Sequence, residues 1–168
     1  MGDMGDEELV RRVRQGDGNS ADELVARHYA AVLRYCAWHC RDAATAEDLT
    51  QETFLHVFRG FSRYAERGRF RAYLYTVARR LCIDEARRRT ADPFLEEPAV
   101  CCPELEQLEQ ADEVRRLLAR LPAPQREAVL LRYGQELTIK EIALVTGVPA
   151  RTAQSRVRLA LAAMRKEE

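Results

Sequence analysis

The sequence has no apolar run long enough to span a bilayer, and its first stretch, Met1–Glu8, is acidic rather than leader-like. These absences predict a cytoplasmic protein with no membrane insertion. Only three histidines occur in 168 residues, and nothing in the order of Ser, Cys, His and Asp suggests a triad. No glycine-rich phosphate loop is present. The chain therefore reads as no enzyme, with no catalytic residue and no cofactor. Its five cysteines, Cys36, Cys40, Cys82, Cys101 and Cys102, follow no zinc spacing, so no metal site is assigned. Cys36 and Cys40, with His39 beside them, are better read as small buried hydrophobes than as a redox or metal site. Cys101 and Cys102 are the better redox candidates.

Formal net charge is also absent, but only on average. From Arg59 to Arg89 the chain carries ten arginines against Glu66, Asp84 and Glu85. From Asp92 to Glu113 it carries eight acidic residues and no base. Segregation of this kind predicts an anionic partner for the first stretch and a cationic surface for the second.

Phe70 to Arg89 contains neither Pro nor Gly, so nothing in it interrupts a helix. At about 100° per residue, Phe70, Leu74, Val77, Ala78 and Leu81 form a stripe to bury. Tyr73, Thr76, Arg80, Asp84 and Arg87 form another face, flanked by Tyr75 and Arg79. Arginine forks onto phosphates and aromatic rings stack on unpaired bases. The preceding Gly60–Arg69 segment, with Arg63, Tyr64 and Arg69, is a loop of the same composition; it suits an everted base or a simple connection.

Before this, helices are expected over Asp6 to Arg14, from a Ser20–Glu23 capping box onward, and over Ala44 to Phe58. On the third, Leu49, Thr53, Phe54, Val57 and Phe58 are apolar, and Asp48, Gln51, Glu52 and Leu55 or His56 share an adjacent face. That face is either solvated or a dock for a basic helix. Pro93, Pro98 and Pro103 punctuate an acidic linker, expected to be extended. Helices are then expected over Glu104 to Leu121 and Gln125 to Tyr133. Thr138-Ile139-Lys140-Glu141 is a capping box opening a helix to Val145, Gly147 supplies a turn, and Pro149 starts a last helix. This is helix–turn–helix punctuation. On the last helix Ala153, Val157, Ala160, Leu161 and Met164 face inward, while Arg151, Gln154, Ser155 and Arg158 face out, with Thr152 and Arg156 flanking. Gln and Arg read base edges, and Ser, Thr and Arg suit phosphates. The predicted fold is all-α: two small helical domains, residues 1–91 and 104–168, joined by the acidic Pro-containing linker 92–103, the C-terminal one a helix–turn–helix.

Three stretches together resemble the extracytoplasmic-function group of bacterial RNA polymerase sigma factors. Ala46 to Phe54 resembles the helix that docks on the clamp of the polymerase beta-prime subunit. Phe70 to Arg89 resembles the helix that melts and reads the −10 promoter element. Leu121 through Arg158 resembles the domain that reads the −35 element and touches the beta flap. The resemblance implies core polymerase binding by Asp48, Gln51, Glu52 and Phe54. It implies −10 contacts from Arg63, Tyr64, Arg69, Tyr73, Thr76, Arg80 and Arg87, and −35 contacts from Arg151, Thr152, Gln154, Ser155, Arg156 and Arg158. It implies core RNA polymerase and promoter DNA as partners, together with an anti-sigma factor. Arg80 stands where such proteins often have Asn, Tyr73 where they often have Trp, and Arg151 and Gln154 replace a common Gly and Lys. The competing reading is an operator-binding helix–turn–helix regulator whose first 91 residues sense or dimerise.

Overall fold

The structure, a computed structural model, describes residues 3–64, 68–91 and 109–166. The linker 92–103, with Cys101 and Cys102, lies outside the described residues, as does the start expected for the fifth helix. Every regular element among the described residues is helical. The first four are α1 (Asp6–Arg14), α2 (Gly18–His39), α3 (Ala43–Arg59) and α4 (Phe70–Thr90). The others are α5 (Glu109–Arg120), α6 (Ala123–Val129), α7 (Ile139–Thr146) and α8 (Ala150–Arg165), with a π turn, Leu130–Gly134, after α6.

The caps show why these boundaries hold. Asp17, not Ser20, caps α2: its carboxylate accepts from Asn19 N at 3.0 Å and from Ser20 Oγ at 2.7 Å. Ser20 is thereby tied up one turn inside the helix. Asp42 caps α3 through Thr45 N at 2.8 Å. The Thr138–Glu141 capping box of α7 forms as expected, with reciprocal bonds of 3.1 and 3.2 Å. Gly147 ends α7 at φ 70°, a left-handed conformation that costs a glycine little.

The two helical domains share a core. Leu24, Val32, Val57 and Leu74 of the first are continuous with Leu131, Leu137, Ile142 and Val145 of the second. Helix α7 lies on α4, and the π turn meets α2.

Polar groups register the seam. Glu127 of α6 enters it: Tyr35 Oη donates to Oε1 at 2.5 Å, His39 Nε2 lies 3.0 Å from Oε2 and Arg79 Nε 3.8 Å from Oε1. The His39 approach falls short of a well-aligned hydrogen bond. Burial disfavours the Glu127 anion, but His39, Tyr35 and Arg79 outweigh it and hold the carboxyl below its ordinary pKa. Tyr75, expected to flank an exposed face, is instead buried and donates to Gln135 Oε1 at 2.8 Å. Arg71 donates to Glu136 O at 2.7 Å and pairs with Glu141 at 3.3 Å. Two arginines of the basic stretch are thus taken by the C-terminal domain.

Candidate nucleic-acid interface

The end of α3, the described part of the α3–α4 loop, the first three turns of α4 and Leu144 of α7 border a cleft of about 860 Å³. Arg63, Tyr64, Arg69, Tyr73, Thr76 and Arg80 line it, so six of the seven residues predicted for the −10 contact converge there. Arg59 and His56 add to its wall, and among the described residues no acidic side chain lines it. Its chemistry is that of an anion site with aromatic walls. Arg87 is the exception: it is exposed two turns beyond Arg80 and does not border the cleft. The 3.6-residue period carries Arg87 to the same face, but the loop that closes the cleft reaches only the N-terminal half of α4.

Inside the cleft Tyr64 stacks on Tyr73, ring centroids 5.0 Å apart at 24°. Burial raises both phenol pKa values, helped at Tyr64 by Glu7 and opposed at Tyr73 by Arg80, so both rings present neutral hydroxyls at physiological pH. Thr76 Oγ1 donates to Ala72 O at 2.6 Å and offers the cleft only its lone pairs. Gly60 has ordinary backbone angles, and what it supplies is space: a Cβ there would overlap Tyr73 Oη.

A second surface lies on α3. Asp48, Gln51 and Glu52 are exposed side by side at helical spacing. Phe54 does not join them. It is 5% exposed, near the rings of Tyr29 and Phe58, in the buried stripe Thr50, Thr53, Phe54, Val57. The buried hydroxyls of that stripe are satisfied by Ala46 O and Leu49 O, each at 2.7 Å. The apolar group on the outer face is Leu55, 53% exposed and one turn from Gln51. Sequence periodicity had both facts in it, since Phe54 also belongs to the apolar face.

A third surface is α8. Ala153, Val157 and Ala160 are buried, and Arg151, Gln154 and Arg158 are exposed, as the helical period requires. Thr152, Ser155 and Arg156 are half-buried. Arg156 borders the crevice between the domains, near Glu127 and Arg79, rather than the outer face with Gln154 and Arg158.

Residues 24–91 match the family of sigma-70 region 2 and residues 111–164 that of sigma-70 region 4. The ECF RNA polymerase sigma factor SigM of Mycobacterium tuberculosis is 31% identical, over 90% of this chain and 78% of its own. This chain belongs to the ECF RNA polymerase sigma factors. The RNA polymerase sigma factor CarQ of Myxococcus xanthus is likewise 31% identical over 88% of each chain. The solved structure of CnrH in complex with the cytosolic domain of CnrY shares the fold, with a TM-score of 0.77 at 22% identity over 96% of this chain and 95% of that one. As a sigma factor, the protein is a transcription initiation factor that directs RNA polymerase to promoters. The region 2 match removes the alternative of a sensor or dimerisation module ahead of an operator-binding domain.

Three of the sigma factor's five cysteines lie among the described residues. Cys36, Cys40 and Cys82 are free and buried, as small hydrophobes would be, and Cys36 and Cys82 sulfurs lie 3.9 Å apart. The neighbouring Cys36 and Cys40 sulfurs, with burial, push the Cys82 thiol well above its ordinary pKa, while the contact with Cys82 holds the Cys36 thiol below its own. Among the described residues no group of three His, Cys, Asp or Glu is placed to hold a metal ion, and no helix is long and apolar enough to cross a membrane.

Sequence reasoning missed residues that act across long separations. Glu127 and Gln135 at the seam carry no local motif. Glu7 and Arg14 of α1 contact the cleft loop and α4 across the fold. Their spacing of seven, two helical turns on one face, was the available signal.

Proposed function

We propose that the protein binds core polymerase through Asp48, Gln51, Glu52 and Leu55 on the beta-prime clamp, and captures the unpaired strand of the −10 element in the cleft of Arg63, Tyr64, Arg69, Tyr73, Thr76 and Arg80. The observation that carries this reading is the convergence of those six residues on one cleft whose described lining is basic and aromatic. Everting a base costs a few kcal/mol, which ring stacking and Arg–phosphate contacts offset. Arg151, Gln154 and Arg158 contact the −35 element. The apolar groove between Trp38, Val114, Leu118, Tyr133 and Met164 suits the beta flap. The protein acts in the cytoplasm, is not an enzyme, and is held in check by an anti-sigma factor; the solved complex of the sigma factor RpoE with the anti-sigma factor NepR from Bartonella quintana supports that last expectation by analogy.

The test is transcription in vitro with core polymerase on a genomic fragment library, which also yields a promoter for the variants below. Asp48→Ala with Gln51→Ala is expected to remove association with core polymerase in a pull-down while leaving the melting temperature unchanged, because both side chains are exposed. Retained association would move the dock elsewhere.

On the −35 side, Gln154→Ala or Arg151→Ala is expected to cost about 1–3 kcal/mol and relax specificity at one position. Arg156→Ala, with its side chain at the seam, is expected to weaken binding less than Arg158→Ala. A mobility shift over a set of single-base variants at two salt concentrations distinguishes these outcomes.

A further inference from the structure

Helix α1, upstream of the region 2 match, grips the base-capture loop at both of its ends. Glu7 and Arg14 lie two turns apart on one face of α1. Glu7 Oε1 accepts from Tyr64 Oη at 2.7 Å and from Phe70 N at 3.1 Å. One carboxylate oxygen therefore joins Tyr64 of the loop to the first residue of α4, and Tyr73 follows within the first turn. Arg14 Nε donates to Phe61 O at 2.8 Å, Arg14 also donates to Tyr64 O, and its guanidinium sits 5.7 Å from the Tyr64 ring centroid. Tyr64 is thus held by its carbonyl, its ring and its hydroxyl, and stacks on Tyr73.

We propose that Glu7 is a positioning residue for promoter opening: it fixes the Tyr64 hydroxyl and the start of α4 together, and so sets the Tyr64–Tyr73 ring pair that receives the unpaired strand. The inference rests on the proposed role of the cleft. A carboxylate is suited to this task. It accepts from an O–H and an N–H at once, and as an anion it favours the amino end of α4, where unpaired N–H groups point. Its two bonds hold the ring pair in place before any strand arrives, so the ordering cost is met on folding rather than on binding.

The experiment uses holoenzyme, with the promoter selected above in duplex and pre-melted forms. Glu7→Ala is expected to lower the affinity for the pre-melted promoter about tenfold without changing association with core polymerase. Tyr64→Phe, which keeps the ring and loses the hydroxyl but leaves the Glu7 bond to Phe70 N, is expected to reproduce part of the loss. The combination is expected to be no worse than Glu7→Ala alone, because that variant already removes the bond to the Tyr64 hydroxyl. Glu7→Gln, which keeps an acceptor oxygen, is expected to recover most of the loss. Additive effects, or a Glu7→Ala variant that binds as wild type does, would overturn the inference. If Tyr73→Ala also binds as wild type does, the cleft reading itself fails; if only Tyr73→Ala is impaired, the cleft stands and the role of Glu7 does not. A Glu7→Ala variant that melts at lower temperature yet binds normally below its transition would assign Glu7 to stability alone and equally overturn it.

Discussion

Replacing Glu127 by alanine is expected to destabilise the protein by about 2–3 kcal/mol. The carboxylate is the acceptor for Tyr35 Oη, a hydroxyl in a residue with no solvent exposure, and the anion beside His39 and Arg79. Removing it leaves the Tyr35 hydroxyl unsatisfied. Arg79 is about one-third exposed and recovers water, so its share is small. For a chain of this size the melting temperature should fall by roughly 5–10 °C. Glu127→Gln keeps an acceptor for Tyr35 and should lose less than half as much. An unchanged melting curve for Glu127→Ala would mean that the two domains are not held together by this contact in solution.

The same carboxylate gives the seam a pH dependence. The folded pKa of Glu127 lies below its ordinary value of 4.5. Above that value the group is ionised in both the folded and the unfolded chain, and its stabilising contribution is complete. As pH falls below it, the unfolded chain binds a proton first, and the contribution drains away until the folded carboxyl is protonated too. The acid limb of stability should therefore be shallower in Glu127→Gln than in wild type, measured by urea unfolding between neutral and acid pH.

The local elements were legible in the sequence because their causes are local. The stripe Phe70, Leu74, Val77, Ala78 and Leu81 is buried as its spacing requires, and the Thr138–Glu141 box and Gly147 sit where their chemistry puts them. The cleft was legible too, since Arg63, Tyr64, Tyr73 and Arg80 are close in sequence. The contacts between domains were not. Tyr75 looks like a flanking surface residue until Gln135 arrives from 60 residues away, and no periodicity encodes that meeting. Phe54 shows the opposite failure: the resemblance assigned it to the dock, while the apolar stripe of its own helix places it in the core.

The central claim is that the N-terminal half of α4 captures an unpaired strand, and Tyr73 and Arg80 test it most directly. Tyr73 supplies a ring in the cleft and Arg80 a cation on its rim, neither bound to an acidic side chain among the described residues. Stacking alone is worth about 1–3 kcal/mol per base, so Tyr73→Ala with Arg80→Ala should reduce opening of the duplex promoter by about a hundredfold. Because Arg151, Gln154 and Arg158 lie on another helix, recruitment to the upstream element should persist. The measurement is permanganate footprinting of open complex formed by each holoenzyme on duplex promoter, with a mobility shift for recruitment. The double variant should leave the promoter bound but unopened; an open complex formed as readily as by wild type would rule out strand capture by α4.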